Sequence, residues 1–331
     1  MECNVYNSML EKQDIVTEFV SMRWEERYSD VGSFYIVVNK TKEALQTFKV
    51  GNFVGVRPYD TLMYIYSIED KNGQIWAYGA EAKHLLNTRI YDGTIRCNNV
   101  ESSLKSAVMQ SRPLPIWGTT ESRGLSATLD SQRSYSSLLE LTKAWCDMAD
   151  YGFRFKHDRT NKKLLYDVYE GVERKNEVFA EKLRNMLDLT RVVSEKQFAN
   201  VAVVLGSGEG ADRKKVVVGD VDTTGFARSE IYVDARDLTQ EEGQTESEYL
   251  ELLKARGLEK LKERQKSDEI DFEISSEGLN KDYFVGDIVT CLLPEYGFSA
   301  KIRISGFSTT YERNVQKTSL SLGVPILRRV F

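Results

Sequence analysis

The sequence predicts an α+β, β-rich fold laid out in three regions. Three observations carry this reading: 17 Tyr and 14 Phe stand beside only 5 Pro in 331 residues, period-two apolar alternation recurs toward both ends of the chain, and helix-spaced apolar residues are confined to a few segments.

In the first region, Val16, Phe19, Met22 and Trp24 mark one strand and Phe34 to Val38 the next, joined by the turn-like stretch Tyr28 to Ser33. A short helix-prone stretch, Lys42 to Phe48, precedes strands at Gly51 to Pro58 and Leu62 to Ile68; Asn72-Gly73 then reads as a hairpin turn into Gln74 to Gly79. The middle region turns helical from Val100 to Gln110 and again from Ser134 to Asp150, with Ser134 or Ser136 as cap, Leu138, Leu141, Trp145 and Met148 on one buried face, and Gly152 as the stop. Phe153 to Lys156 and Leu164 to Tyr169 flank a polar turn, giving a helix packed on a hairpin. In the third region, strands at Val201 to Leu205, Lys215 to Val218 and Ser229 to Val233 precede a charged amphipathic helix over 247–266. Its apolar side carries Leu250, Leu253, Leu258 and Leu261, and Glu251 lies near Lys254 on its wet side. Asp271 to Ile274, Asp287 to Leu292, Lys301 to Ile304 and Thr318 to Leu322 complete the strands.

Composition excludes several functions. With 45 Lys+Arg against 50 Asp+Glu, a formal charge of -5, no basic excess draws the chain to nucleic acid or anionic membrane. Cys3, Cys97, Cys146 and Cys291 have no C-x-x-C spacing and read as packed free thiols of a reducing compartment. The N-terminus lacks the layout of a signal peptide, and no apolar run approaches the roughly 20 residues of a membrane span. A soluble, non-secreted product without stable membrane insertion is expected.

The candidate chemistry is sparse. Gly206-Ser207-Gly208-Glu209-Gly210 follows a strand as a phosphate loop would, yet Asp212-Arg213-Lys214-Lys215 leads into another strand, so a hairpin loop with a wet basic end is the better reading. His84 and His157 lack partners at metal spacing and read as surface or boundary residues; a Cys-His nucleophile built from Cys97 or Cys146 is a minority alternative. The pairs Glu25-Glu26, Glu241-Glu242 and Asp268-Glu269 read as solvated or ladder charges. Tyr64, Tyr66, Trp76 and Tyr78 pack in a core or interface on one reading and stack on sugars on another; alternation puts half of such residues inward. No catalytic, cofactor-binding or metal residue is assigned, no cofactor is expected, and a substrate-binding residue is unknown.

Several stretches together carry a resemblance. They are Met22 to Phe34 (M-R-W-E-E-R-Y-S-D-V-G-S-F), Leu45 to Pro58, Thr61 to Glu69, Gly79 to Leu86 before Arg89-Ile90, Tyr151 to Phe155 with Val168 to Gly171, Asn200 to Gly206, and Gly286 to Val289. In this order the chain resembles the tail-hub, or baseplate-hub, proteins of long-tailed phages and prophages, the family that also forms the N-terminal part of tail-associated lysins. On this pattern Gly32 and Gly51 permit tight turns, while Trp24, Phe34 and Leu45 fill a barrel core.

The resemblance implies a first β-barrel-like hub domain over 1–97, an α+β insertion over 98–195, and a second β-barrel-like domain over 196–331. It also implies a homotrimeric ring with pseudo-sixfold symmetry, adapting a sixfold tail tube to a threefold tip. The expected partners are the distal tail protein or tail tube, the tape-measure protein and tail-tip or receptor-binding proteins, with DNA only in transit. The expected location is the virion tail, after a stage in the host cytoplasm. Tail lysins of the family extend past this point with a peptidase, glycosidase or receptor-binding part, so wall digestion is expected of another polypeptide. The rivals are a tail-associated cell-wall hydrolase and a carbohydrate- or receptor-binding tail module.

Overall fold

Alternating apolar residues and turn chemistry set most of the strands in the first region. The computed structural model describes residues 2–57, 59–210, 213–240, 243–264, 267–312, 315–323 and 326–329. The first elements are β1 (Cys3–Tyr6), β2 (Lys12–Val16), β3 (Ser21–Arg27), β4 (Ser33–Asn39), α1 (Lys42–Thr47), β5 (Phe53–Val56), β6 (Met63–Lys71) and β7 (Gln74–Glu81), followed by a 3-10 helix over Ala82–Thr88. Asn72 and Gly73 adopt φ of 54° and 73° in the β6–β7 turn, the left-handed pair that a tight Asn-Gly hairpin needs. The expected single strand from Val16 to Trp24 is instead broken between β2 and β3.

The middle region holds β8 (Thr94–Arg96), α2 (Val100–Gln110), β9 (Trp117–Thr119), β10 (Gln132–Ser134), α3 (Leu138–Ala149), β11 (Gly152–Asp158) and β12 (Lys163–Tyr169). The α3 cap is Ser137, whose hydroxyl accepts from the Glu140 amide, and not Ser134 or Ser136. The helix ends at Asp150 in the left-handed region, φ 59°, so Gly152 opens β11 and does not act as the stop. Leu138, Leu141 and Trp145 are buried as their spacing requires, but Met148 at the last turn is 58% exposed.

Farther on come β13 (Glu173–Phe179), β14 (Met186–Ser194), β15 (Val201–Leu205), β16 (Lys215–Gly219), β17 (Glu230–Asp234), α4 (Glu246–Lys262), β18 (Ser267–Ile274), β19 (Ile288–Leu293), β20 (Phe298–Glu312), β21 (Val315–Leu322) and β22 (Ile326–Arg329). The long strand β20 binds the two ends of the chain into one 12-stranded sheet, in the order β13-β19-β20-β3-β4-β7-β6-β5-β1-β2, with β21 and β22 also on β20. Thr309 lies opposite Trp24 in the β20–β3 register.

Both faces of this sheet are covered around β5, which explains why all four of its residues are buried. Val54 and Val56 enter a core with Trp24, Phe34, Ile36, Met63, Ile65 and Phe307. Phe53, with Tyr6 and Leu62, instead enters the core of the helical module, with Leu104, Leu138, Trp145, Phe153 and Tyr166. Leu45, expected in the first core, is 45% exposed on the outer side of α1.

Compact units therefore cut the chain elsewhere than the expected boundaries at 97 and 195. One comprises residues up to Leu187 with those from Glu273 on; the other is Asp188–Phe272. The reason is shared packing: residues remote in sequence contribute to the same two cores. In the smaller unit, the order is β16-β15-β17, and α4 packs Tyr249, Leu253 and Leu261 against Ala202, Val204, Val216 and Val218. Thr245 and Glu248 form a reciprocal capping box at the start of α4. Gly257 faces this sheet, where a Cβ would approach Val218 and Val204 at 2.6 and 2.7 Å. Leu258 lies on the outer side and is 48% exposed, while the expected Glu251–Lys254 pair forms at 2.6 Å. Residues 265 and 266, the end expected for this helix, lie outside the described residues.

Candidate functional site

The most concentrated chemistry in the larger unit is a set of buried charges where the end of β3 meets β7, the 3-10 helix and the helical module. Glu81 and Lys83 are almost wholly buried and pair at 3.2 Å. The Glu81 carboxylate also accepts from the amides of Gly32 at 2.6 Å and Arg27 at 3.2 Å. Lys83 donates to the carbonyls of Arg27 and Phe153 and stands 4.9 Å from the Phe153 ring centroid. Burial raises Glu81 to about 7; the Lys83 ammonium pulls against that shift and Glu26 adds to it.

Glu25 and Glu26 lie next to this pair; Glu25 is 6% exposed, so of the solvated and ladder readings the solvated one does not hold for it. Glu25 accepts from Arg27 Nε at 2.7 Å and from the Ser33 hydroxyl. Burial pushes it up, but the Ser33 and Arg27 hydrogen bonds hold it below the ordinary carboxylate value. Glu26 accepts from Thr61 Oγ1 at 2.5 Å and Trp24 Nε1 at 2.8 Å, and burial raises it. Gly32 is required here because a Cβ would fall 2.0 Å from the Glu25 carbonyl oxygen.

Tyr28 is the keystone. Its hydroxyl faces the carbonyls of Asp150 at 3.1 Å and Tyr169 at 3.2 Å and accepts from the Gly171 amide. The Arg303 guanidinium lies 4.8 Å from its ring centroid. Two more fully or nearly buried carboxylates fasten the irregular segment after β9. Asp167 receives Arg123 in a two-point bond, 2.8 Å at each oxygen, together with Arg154 and Thr120. Glu101 accepts from the amides of Arg123 and Leu125 and from Lys105. These carboxylates spend their oxygens on donors within the chain, which makes the array a rigid structural joint.

The other residues singled out by sequence are dispersed. His84 is half-buried with its ring 5.6 Å from Tyr66. His157 packs edge-on to Tyr6 at 4.9 Å, and burial with Arg159 lowers it to about 4. All four cysteines are buried and free; burial pushes Cys3 and Cys291 up to about 12 and raises Cys97 and Cys146 as well, which disfavours the thiolate a nucleophile requires. Among the described residues no group of three His, Cys, Asp or Glu side chains is placed to hold a metal ion.

The glycine stretch joins β15 to the antiparallel β16, and a Cβ at Gly206 would meet the Tyr249 hydroxyl at 2.3 Å. Lys214 and Lys215 are exposed as a wet basic end requires, but Arg213 turns inward and donates to the Leu205 carbonyl and the Asp234 carboxylate. Asp212, Glu241 and Glu242 lie outside the described residues, as do the side chains of Asp268 and Glu269. On β6 and β7 it is Met63, Ile65, Ile75 and Ala77 that are buried, so Tyr64, Tyr66, Trp76 and Tyr78 are not divided between faces as expected. Trp76 stacks with Tyr78 at 6.2 Å and Lys71 lies 4.5 Å from its ring, whereas Tyr64 packs on Phe53. The keystone Tyr28 and the Asp167 anchor were missed: single polar residues inside strand patterns give no signal of their distant partners.

Solved structures similar to this fold include phage and prophage tail proteins. The 43 kDa tail protein of prophage MuSo2 from Shewanella oneidensis is 10% identical, with a TM-score of 0.54 over 98% of both chains. Prophage tail protein gp18 from Listeria monocytogenes is 11% identical, with a TM-score of 0.53 over 97% of this chain and 94% of that one. A chain of the phage P2 baseplate is 10% identical, with a TM-score of 0.50 over 97% of this chain and 98% of that one. No curated protein matches. The fold class is thus one shared with phage tail and baseplate proteins. More closely, the chain belongs to the family described as siphovirus ReqiPepy6 Gp37-like protein, whose model matches residues 2–324. No helix among the described residues is long and apolar enough to cross a membrane.

Proposed function

We propose that this chain is a non-enzymatic hub of the tail, forming a homotrimeric ring that adapts a sixfold tube to a threefold tip and surrounds the path of tape-measure protein and DNA. The observation that supports this most is the fold likeness to a prophage tail protein over 98% of both chains. In this reading each subunit supplies two β-rich, barrel-like lobes, so three copies present six similar positions to the tube. The joint around Tyr28 and Glu81 suits such a role, because a ring under load gains from a strand and a helical module held together by buried directional bonds. A passage for DNA calls for a lining without strong positive charge, which the slight acidic balance of the chain permits.

Two measurements test the reading. Gold-labelled antibody against this chain should mark virions at the tail end distal to the capsid; labelling of the capsid, or none on the particle, overturns it. Incubation with purified peptidoglycan should release no fragments. Reproducible cleavage lost on substituting one carboxylate would make the chain a wall hydrolase.

A further inference from the structure

One cleft in the larger unit is not used by the joint. It lies between the segment after the 3-10 helix, the C-terminus of α2 and the turn before α3. Its volume is about 900 Å³, and Arg89, Ile90, Asp92, Ser111, Arg112 and Tyr135 are among its lining residues. Ser111 is 7% exposed, and its buried hydroxyl has no hydrogen-bond partner, an uncommon cost in a protein interior. Ile90 is 60% and Tyr135 71% exposed. The cleft thus joins two guanidinium groups, one carboxylate, an unpaired buried hydroxyl and an aromatic-aliphatic wall. That composition suits a segment carrying both carboxylates and a large apolar side chain.

The chain itself carries such a segment in its smaller unit. The loop between β16 and β17 reads Asp220-Val221-Asp222-Thr223-Thr224-Gly225-Phe226. Phe226 is fully exposed and Val221 is 46% exposed. The loop is held in shape from within: Arg228 Nη1 donates to the carbonyls of Val221 and Thr223, and the Thr223 amide to the Asp220 carbonyl. A braced loop presenting a bare phenylalanine just after two acidic residues binds with little further ordering cost.

We propose that the cleft receives residues 220–226 of a second copy of this chain, Phe226 against Ile90 and Tyr135, and the Asp220 and Asp222 carboxylates toward Arg89 and Arg112. The inference rests on the homo-oligomeric reading above. It deepens that reading by assigning a head-to-tail contact, the kind that closes into a ring when its rotation permits.

The test is cross-linking of the full chain. With the native thiols buried, Asp92→Cys with Thr224→Cys, which leaves Ile90, Tyr135 and Phe226 in place, should give covalent multimers under mild oxidation, while each single variant, and Val50→Cys with Thr224→Cys as an exposed control pair, should not. Asp222→Lys in the cross-linking background should cut the yield several-fold, and adding Arg112→Glu should restore it. Absence of multimers, equal yield from the control pair, or a cross-linked species of single-chain size would overturn the contact. The wild-type mass separates the two claims: an oligomer without the cross-link removes this contact and leaves the ring, whereas a chain that stays single removes both.

Discussion

The Tyr28 hydroxyl accepts a hydrogen bond from the Gly171 amide at 3.1 Å, joining positions 143 residues apart. The same ring is enclosed by Gly286, where a Cβ would fall 2.4 Å from it. A strand of the first region is thereby fixed to the end of β12 and to the turn before β19.

Tyr28→Phe keeps the ring and removes the hydroxyl, so the Gly171 amide loses its partner. The expected loss is about 1–2 kcal/mol in urea unfolding. Gly286→Ala should cost more, about 3 kcal/mol, because Gly286 has φ +100° and the added methyl meets an aromatic ring. Equal stability of Gly286→Ala and wild type would show that Tyr28 is not tightly enclosed.

Asp167 anchors the irregular segment after β9 through Arg123. Asp167→Asn removes one charge from a site with two guanidinium groups, with an expected loss of about 2 kcal/mol. Amide exchange at Arg123, Gly124 and Leu125 should accelerate more than at β11 or β12. Uniform acceleration throughout the larger unit would argue that the segment has no separate anchor.

Stability should depend on pH through Glu81. Its folded-state value of about 7 exceeds the ordinary 4.5, so the folded chain holds this proton more tightly than the unfolded chain. That contribution is fully present below about pH 4.5 and is lost as pH rises to about 7, by up to about 3 kcal/mol. Glu25, Glu101 and Asp167 are shifted the other way: burial raises each, but their hydrogen-bonded cations and donors outweigh it and hold each below its ordinary value. Their contributions are present above the ordinary carboxylate range and lost as pH falls through it. His157, lowered to about 4, acts in the opposite direction over much of the same window, so Glu81→Gln should make stability rise more steeply with pH between 4.5 and 7 than it does in the wild type, while leaving the acid limb. An unchanged slope in that window contradicts the assignment.

The buried thiols give a simpler check. At pH 8 the native chain should react negligibly with a thiol-specific reagent, and all 4 cysteines should react after unfolding. Rapid reaction of Cys97 or Cys146 in the native chain would reopen the nucleophile alternative.

Local pattern made much of this fold legible. The Asn72-Gly73 hairpin, α1, α2 and the β11–β12 hairpin follow from turn chemistry and spacing, because their partners are near in sequence. The pairing of β20 with β3 is different: its register joins Thr309 to Trp24, and nothing in either strand names the other. The same limit hid the partners of Tyr28 and Asp167. At α3 and α4, helix spacing located the buried stripe but overextended it, because Met148 sits in the last turn and Leu258 lies beside the stripe formed by Tyr249, Leu253, Gly257 and Leu261.

The native mass in solution, measured by light scattering over a wide concentration range with negative-stain class averages of the eluted species, tests the central claim most directly. A stable species of three times the chain mass, seen as a ring with an open centre, is the predicted result. A single-chain mass at every concentration, or a closed species of another stoichiometry, would contradict it.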